Sequence, residues 1–234
     1  MSDSESLKRA VGERAVDWIL DGMVVGLGTG STVRYLLETI AERRSAGELR
    51  SIVGVPTSED TRSKAGRLGI PLGDLTSHPH LDVALDGADE FDPSLDLIKG
   101  LGGALLREKL VAIASRSFIA LVDDSKRVQK LGTKAPVPVE IDPYSKGIQI
   151  DFLRALGSEP RLRKDARGEE FRTDGGHLIL DCFFNDGLAD PEAIALELDR
   201  RPGVMEHGLF LGLTERVIVA AAEGVTILER GQTA

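Results

Sequence analysis

Short apolar runs alternate with amphipathic stretches along the first half of the chain. A short apolar run is typical of a buried strand, whereas apolar residues three and four positions apart are typical of one helical face. The predicted helices are 4–20, 33–40, 58–68 and 104–115, and the predicted strands are 23–27, 52–55, 81–86, 95–98 and 118–122. Because strands alternate with helices, this half of the chain predicts a parallel sheet with helices on both faces.

The pattern changes beyond Gly132, where strands and helices no longer alternate regularly. The predicted elements are a strand at 137–141, a helix at 143–156, a hairpin turn at 173–176 between strands near 171 and at 178–183, a helix that begins at 190–191, and strands at 209–213 and 217–220. We therefore predict an α/β fold with two domains. A parallel-sheet, Rossmann-like larger domain comprises residues 1–130 and 206–234, and a smaller α+β domain of residues 131–205 is inserted before the C-terminal strands.

The composition is that of a globular protein and argues against several other classes. Hydrophobic residues make up 41% and charged residues 29% of the 234 positions. No apolar run approaches the roughly 18 residues that span a membrane, and the start of the chain lacks the pattern of a signal peptide. A net charge of −9 with only 4% aromatic residues argues against nucleic-acid binding. The single cysteine, Cys182, cannot form an internal disulfide, so we predict a cytoplasmic protein without membrane or nucleic-acid partners.

A glycine-rich loop, Gly26–Thr32, follows the first predicted strand. Its alternate glycines let the backbone approach a ligand, and its hydroxyl side chains add donors at the start of a helix. The third glycine stands one position short of the dinucleotide-binding fingerprint, and the Gly-Lys-Ser/Thr ending of a nucleotide P-loop is absent. The loop therefore predicts a site for a monophosphate or another small anion, with a plain tight turn as the alternative.

Three carboxylates stand directly after another predicted strand, in the segment Asp86–Glu90. Open α/β sheets bind ligands at the carboxyl ends of their strands. These carboxylates are candidates for acid–base chemistry or for holding a metal, and a solvated loop is the alternative. His78 and His80 form the only closely spaced pair of histidines and have no obvious third ligand, so we predict no metal site.

Two further polar segments follow predicted strands. The segment Lys99–Lys109 combines a lysine, a glycine-rich backbone and Glu108 early in a helix, and Asp123–Lys126 adds another lysine. A glutamate against an apolar wall can act as a general base, while a lysine and backbone N–H groups can stabilise negative charge on oxygen. Ion pairs or caps on a solvated surface are the alternative. Because carboxyl ends of parallel strands meet at one edge, we expect these clusters to converge on one site.

Five motifs occur in order along the chain. They are Gly26–Thr32, Pro56–Glu59, Asp86–Glu90, Lys99–Lys109 and Asp124–Lys126. Together they resemble the ribose-5-phosphate isomerases of type A, and the resemblance covers essentially the whole chain. Five ordered motifs are far more specific than the glycine loop alone. One departure is Leu101, where many relatives have glycine, so a backbone contact at this position depends on whether it needs a positive φ.

The resemblance implies reversible isomerisation of D-ribose 5-phosphate to D-ribulose 5-phosphate in the pentose phosphate pathway, with no metal and no organic cofactor. It implies that Glu108 moves a proton between C2 and C1 through an enediolate. Asp86 and Asp89 would contact the sugar hydroxyls and assist ring opening, and Lys99 would stabilise the enediolate oxygen. The implied substrate-binding residues are Thr29, Gly30, Ser31, Thr32, Asp86, Gly87, Ala88, Asp89, Lys99, Gly100, Leu101, Gly102 and Lys126. A homodimer or homotetramer is implied as well.

Several alternatives remain open from the sequence. The spacing does not settle which end of the site holds the phosphate, although Ser31 and Thr32 are the preferred donors on physical grounds. A non-catalytic sugar-phosphate sensor is a second interpretation, but the short acidic N-terminus leaves no room for the helix-turn-helix that such proteins usually carry. A coenzyme A transferase-like enzyme is a third, and the segment Lys99–Lys109 and the chain length fit the isomerase better.

Overall fold

The computed structural model describes residues 3–231. Its α-helices are α1 (Asp3–Ala15), α2 (Ser31–Ser45), α3 (Glu59–Arg67), α4 (Leu105–Ala114), α5 (Lys146–Ala155) and α6 (Pro191–Asp199). Its strands are β1 (Val24–Leu27), β2 (Val53–Pro56), β3 (Val83–Gly87), β4 (Glu90–Phe91), β5 (Leu97–Ile98), β6 (Phe118–Asp123), β7 (Val137–Ile141), β8 (Glu159–Leu162), β9 (Leu178–Phe183), β10 (Val204–His207), β11 (Leu209–Phe210), β12 (Arg216–Ala221) and β13 (Gly224–Glu229). Among these residues, no helix combines the length and apolar character needed to cross a membrane.

The chain divides into two compact units. The first contains Met1–Ala88, Arg107–Arg127 and Leu213–Ala234, and the second contains Asp89–Leu106 and Val128–Gly212. The sequence assigned only 131–205 to the smaller domain. The structure differs because β5 pairs with both β4 and β11, which draws the segments at both ends of the insert into the second unit.

The first unit is built on a six-stranded sheet with the order β13-β12-β6-β3-β1-β2. Its pairs are parallel except for the antiparallel hairpin of β12 and β13. The predicted α/β fold with a parallel, Rossmann-like sheet is thereby confirmed. Strands covered on both faces need apolar side chains on both faces, which explains why β6 is a continuous apolar run. The core joins helix and strand residues, among them Val11, Leu36, Ile40, Val25, Leu85, Ile119 and Ile218.

Close helix packing on this sheet requires a glycine in β1. A Cβ on Gly26 would lie 2.7 Å from the Cβ of Ala84 and would also press against Val111 of α4. Packed side chains rarely approach so closely, so any larger residue would push the helix away from the sheet. The first glycine of the sequence motif is therefore explained by packing.

The second unit contains two antiparallel sheets, with the orders β10-β7-β9-β8 and β11-β5-β4. This agrees with the predicted α+β character of the insert. Its core is formed mainly by β7, β9, α5 and α6, and includes Val139, Leu153, Leu180 and Leu198.

One predicted hairpin is wrong in its partner. The turn at Thr173–Gly176 forms, with the Gly176 N–H donating to the Thr173 carbonyl at 2.8 Å. However, β9 pairs with β8 and not with a strand near Phe171. The sequence of β8, Glu-Pro-Arg-Leu, is mostly polar and carries a proline, so its pattern does not indicate a strand.

Two helices begin at or next to the positions that the sequence predicts for their starts, 58 and 190–191. Ser58 caps α3 by accepting the Thr61 N–H, and Asp190 caps α6 by accepting the Ala193 N–H. Pro191 occupies the first turn of α6, where its missing N–H leaves no donor unsatisfied. These local signals were readable because a cap depends on only a few neighbouring residues.

Candidate active site

Strands β1, β2, β3 and β6 end at one edge of the first unit. Near that edge Leu27 pairs with Leu85 and with Pro56, and Gly87 pairs with Leu121. The four strands run in the same direction, so the segments that follow them leave from the same edge. Three of the four predicted clusters, in the segments Gly28–Thr32, Asp86–Ala88 and Asp123–Lys126, accordingly follow strands that end at this edge.

The carboxylate of Asp86 holds the glycine loop in place. Its Oδ1 accepts the Thr29 N–H at 2.9 Å and the Gly87 N–H at 2.7 Å. A Cβ on Gly28 would overlap this carboxylate. Since Asp86 is only 3% exposed, the absence of a side chain at position 28 is what lets the loop lie against it.

The side chain of Thr29 belongs to a group of four hydroxyls, Thr29, Thr57, Ser58 and Thr61, called here the hydroxyl cluster. Thr29 Oγ1 donates to Ser58 Oγ at 2.8 Å and lies 2.7 Å from Thr57 Oγ1. Thr61 Oγ1 donates to the Gly28 carbonyl at 2.7 Å. The Thr29 hydroxyl, which the sequence predicted as a donor to a ligand, here donates within the cluster and ties the glycine loop to the start of α3.

The start of α2 offers donors to an anion. Gly30 is its N-cap, and its φ of 121° is one that a side chain would strain. The first N–H groups of a helix have no partner inside the helix and carry the positive end of its dipole. Ser31 is exposed and Thr32 is half-buried at this end. Backbone and hydroxyl donors thus stand together where a phosphate oxygen could bind.

Glu108 lies in the first turn of α4 and is 4% exposed. Its neighbour Arg107 donates from Nη1 to Glu59 Oε1 at 2.7 Å, which ties the start of α4 to the start of α3. The same hydrogen bond lowers the pKa of Glu59. The start of α4, with Glu108 in its first turn, therefore lies near the start of α3, which follows β2.

Lys126 ends a 3₁₀ turn that directly follows β6 and is half-buried. The carboxylate of Asp123 caps this turn by accepting the Ser125 N–H at 3.0 Å. The turn leaves the sheet from the edge at which Asp86 and the glycine loop lie, as the sequence predicted.

The remaining predicted site residues belong to the second unit. Asp89 Oδ2 accepts the Leu101 N–H at 2.9 Å. Lys99 is 2% exposed, and its Nζ lies 5.4 Å from the centre of the Phe210 ring. The Lys99 N–H donates to the carbonyl of Gly208 at 2.9 Å, and a Cβ on Gly208 would overlap the Lys99 carbonyl. The segment Lys99–Gly102 follows β5 in a small antiparallel sheet, so the expectation that it follows a strand of the parallel sheet is wrong.

The segment after Lys99 is a tight turn closed by the Gly103 N–H, which donates to the Gly100 carbonyl at 3.0 Å. Positive φ angles occur at Gly100 (104°) and Gly103 (82°), whereas Leu101 does not have one. Leucine is therefore compatible with the backbone at position 101. The departure from glycine noted in the sequence carries no strain because the left-handed positions are the two ends of the turn.

Glu90, a sequence candidate for a metal ligand, is fully buried and serves as an anchor for backbone. Its carboxylate accepts the N–H groups of Gly132 and Ala135, each at 2.6 Å, and that of Lys134.

Within the described residues, one group of possible metal ligands lies close together, namely Asp199, Glu206 and His207. There His207 Nδ1 accepts the Leu209 N–H at 3.2 Å, which leaves the Nε2 proton to donate to Asp199 Oδ1 at 3.1 Å.

Sequence reasoning missed Arg163 and Asp181, which contact the turn after Lys99. Arg163 Nη1 donates to the carbonyls of Gly100 at 2.9 Å and Leu101 at 3.1 Å. Asp181 binds the other edge of the guanidinium through Nε at 2.9 Å and through Nη2. A single charged residue inside the apolar run of β9 was the available signal for Asp181, and the segment around Arg163 carried none.

The fold is that of an α/β protein, and its glycine loop, carboxylates and lysines are groups of the kind found in enzymes that act on small phosphorylated metabolites. A family model described as ribose 5-phosphate isomerase A (phosphoriboisomerase A) matches residues 53–224. The chain therefore belongs to the ribose 5-phosphate isomerase A family, and it is an isomerase.

Individual relatives agree with this assignment. A ribose-5-phosphate isomerase A of Roseiflexus castenholzii is 50% identical over 227 residues, which cover 97% of each chain. A solved D-ribose-5-phosphate isomerase in complex with phospho-erythronic acid has a TM-score of 0.94 and 40% identity, covering 97% of this chain and all of that one. The ribose 5-phosphate isomerase of Plasmodium falciparum has a TM-score of 0.93 and 39% identity over the same shares of the two chains.

Proposed function

We propose that this chain interconverts D-ribose 5-phosphate and D-ribulose 5-phosphate through an enediolate, with Glu108 as the base that carries the proton between C2 and C1. Family membership supports the reaction. The observation that carries the role of Glu108 is a buried carboxylate at the start of α4, near the start of α3, which follows β2. A positioned carboxylate of this kind contributes about 10²–10⁴-fold to a proton transfer.

The phosphate binds at the start of α2 in this proposal. Gly30, Ser31 and Thr32 supply backbone and hydroxyl donors, and the helix dipole favours the negative charge. Asp86 keeps the loop in shape through the Thr29 N–H, and the hydroxyl cluster secures the same loop from the side of α3. Lys126 supplies a positive charge at the end of strand β6, which is separated from β1 by β3 in the sheet.

The sugar end involves the carboxylates and Lys99. Asp86 and Asp89 contact the sugar hydroxyls and assist ring opening, with the backbone of Gly87 and Ala88 beside them. Lys99 and the amides of the turn Gly100–Gly102 stabilise the negative charge that develops on the enediolate oxygen. The support is chemical: the turn offers backbone N–H donors, Lys99 offers a cation, and the two carboxylates can accept from sugar hydroxyls.

The decisive experiment compares wild type with Glu108→Gln in heavy water. Wild type converts ribose 5-phosphate and exchanges the C2 proton with solvent, whereas we expect kcat of the variant to fall about 10²–10⁴-fold with exchange falling in parallel. Glu192→Gln is the matched control, because Glu192 also lies in the first turn of a helix, α6, and is exposed. Full exchange in a folded Glu108→Gln protein would exclude Glu108 as the base.

The same assays distinguish the other two interpretations. A sugar-phosphate sensor would bind ribose 5-phosphate without converting it, and a coenzyme A transferase-like enzyme would need an acyl donor. We expect activity to persist after treatment with a chelator; a loss restored by a divalent cation would instead assign a metal to Asp86 or Asp89. A homodimer or homotetramer and a cytoplasmic location stay predictions, the first of which is tested by sedimentation of the purified protein.

A further inference from the structure

The guanidinium of Arg163 is hydrogen-bonded to one side of the turn Gly100–Gly103. Arg163 Nη1 donates to the Gly100 carbonyl at 2.9 Å and to the Leu101 carbonyl at 3.1 Å. The Arg163 side chain also lies over the ring of Phe171, at 5.8 Å from its centre, and a Cβ on Gly103 would overlap that ring. One face of the turn is therefore occupied by Arg163 and Phe171.

Asp181 fixes the direction of this guanidinium. Asp181 Oδ2 accepts from Arg163 Nε at 2.9 Å, and its Oδ1 accepts from Nη2. The two side chains are only 11% and 16% exposed, so the pair is largely shielded from water. Two parallel hydrogen bonds between planar groups hold a guanidinium in one plane, which a lysine could not match. Arg163 itself is held to β9 because its N–H donates to the Ile179 carbonyl at 2.9 Å.

The hydrogen bonds from Arg163 to the two carbonyls determine the direction of the N–H groups in the same peptides. In a planar trans peptide the N–H points opposite to the carbonyl of the preceding residue. The carbonyl of Gly100 faces Arg163, and accordingly the Leu101 N–H points away and reaches Asp89 Oδ2 at 2.9 Å. The carbonyl of Leu101 also faces Arg163, so the Gly102 N–H likewise points away from the guanidinium.

A glycine-rich turn could otherwise rotate these peptide groups. Rotation of either peptide would replace an N–H by a carbonyl oxygen, which repels negative charge. A cation bound to the two carbonyls opposes this rotation and also polarises the peptides, which strengthens their N–H groups as donors. Donors that are fixed before the charge develops are the ones that lower a reaction barrier.

We propose that Arg163, fixed by Asp181, is a positioning residue that orients this turn. It directs the Leu101 amide to Asp89 and the Gly102 amide away from the guanidinium, where the Gly102 N–H stabilises the enediolate oxygen. This role rests on the proposed function of the turn, and Arg163 itself does not touch the substrate. Loss of the guanidinium therefore lowers kcat more than it raises KM, because the Gly102 amide stabilises the substrate most once negative charge has developed.

The test measures kcat, KM and thermal unfolding for Arg163→Ala, Arg163→Lys and Asp181→Asn. We expect kcat to fall about 10²-fold in Arg163→Ala, with KM changing only a few-fold, and to fall less in the other two variants. Millimolar methylguanidine restores part of the kcat of Arg163→Ala. The matched control is Arg161→Ala. Arg161 lies on β8, two residues before Arg163, pairs with the exposed Glu159 and is not hydrogen-bonded to the turn.

Each outcome decides the matter. A folded Arg163→Ala protein with wild-type kcat overturns the proposal, as does an equal loss in Arg161→Ala. If Arg163→Ala fails to fold, Arg163→Lys and Asp181→Asn decide: unchanged kcat in both assigns Arg163 a structural role only. An inactive wild-type protein would instead contradict the proposed function, so the two failures are distinguishable.

Discussion

Asp86 and Gly28 illustrate how a single residue can be constrained by one neighbour. The carboxylate of Asp86 occupies the space that a side chain at position 28 would need, and it binds the amides on either side of that space. The sequence predicted both residues as parts of separate motifs. Their dependence on each other follows only from the parallel pairing of β1 with β3, which brings residues 58 positions apart into contact.

We expect Gly28→Ala to be destabilising and strongly damaging to activity. The new methyl group would displace the Asp86 carboxylate and break its bonds to Thr29 and Gly87. Inserting a methyl into a packed site costs about 1–3 kcal/mol, and the loop would lose its shape as well. Urea unfolding together with kcat/KM measures both effects.

Gly147→Ala is the control for this substitution. Gly147 lies in α5, has no positive φ, and has nothing within 4 Å of the position of a Cβ. Alanine is favoured over glycine in a helix by about 0.5–1 kcal/mol, so this variant is more stable and equally active. Equal losses in the two variants would contradict the special role of position 28.

At the scale of elements, helix starts were predictable and strand partners were not. The caps Ser58 and Asp190 are local signals, since each depends on a hydroxyl or carboxylate and an N–H three residues away. β8 and β13 were missed: β8 is polar, and the exposed residues of β13 blur its pattern. A strand is stabilised by a partner strand that can be distant in sequence, so the strand's own residues need not show a strand pattern.

The two caps make a matched pair for a second prediction. Ser58→Ala and Asp190→Ala each remove a cap, so each lowers the free energy of unfolding by about 1 kcal/mol. Ser58 also accepts from Thr29 in the hydroxyl cluster, whereas Asp190 lies outside the predicted site. Only Ser58→Ala is therefore expected to raise KM for ribose 5-phosphate. A raised KM in Asp190→Ala, or none in Ser58→Ala, would argue against this role of the hydroxyl cluster.

At the scale of the whole molecule, the chain carries a net charge of −9, and several of its carboxylates are hydrogen-bonded to cationic or hydroxyl side chains that stabilise their charged form. A hydrogen bond from Arg107 lowers the pKa of Glu59, and one from Lys146 lowers the pKa of Glu170. Hydrogen bonds from Tyr35, which has the larger effect, and from Arg34 lower the pKa of Glu5. Each carboxyl thus binds its proton more weakly in the folded chain than in the unfolded one. Such groups stabilise the fold above their ordinary pKa of 4.5 and lose that contribution as the pH falls through the lowered value.

We therefore expect the urea midpoint to be steady near neutral pH and to fall as the pH drops below about 4.5. The effect is largest at low salt because the paired groups are exposed and are screened by ions. Glu59→Gln removes one of the groups and makes the decline less steep between pH 5 and the acid limit of folding. A midpoint that rises on acidification would contradict the sign of these shifts.

The sequence by itself determined the α/β class, most helices and their caps, and the identity of the strand-end motifs, because these depend on local periodicity and on a few neighbouring residues. The tertiary structure alone decided the partners of β8 and β5, the grouping of 89–106 with 128–212, and the grip of Arg163 and Asp181 on the turn at Gly100. Residues that meet across long stretches of chain leave no fixed spacing in the sequence. Their contacts exist only once strands have chosen their neighbours, and that choice is made by the packing of the whole unit.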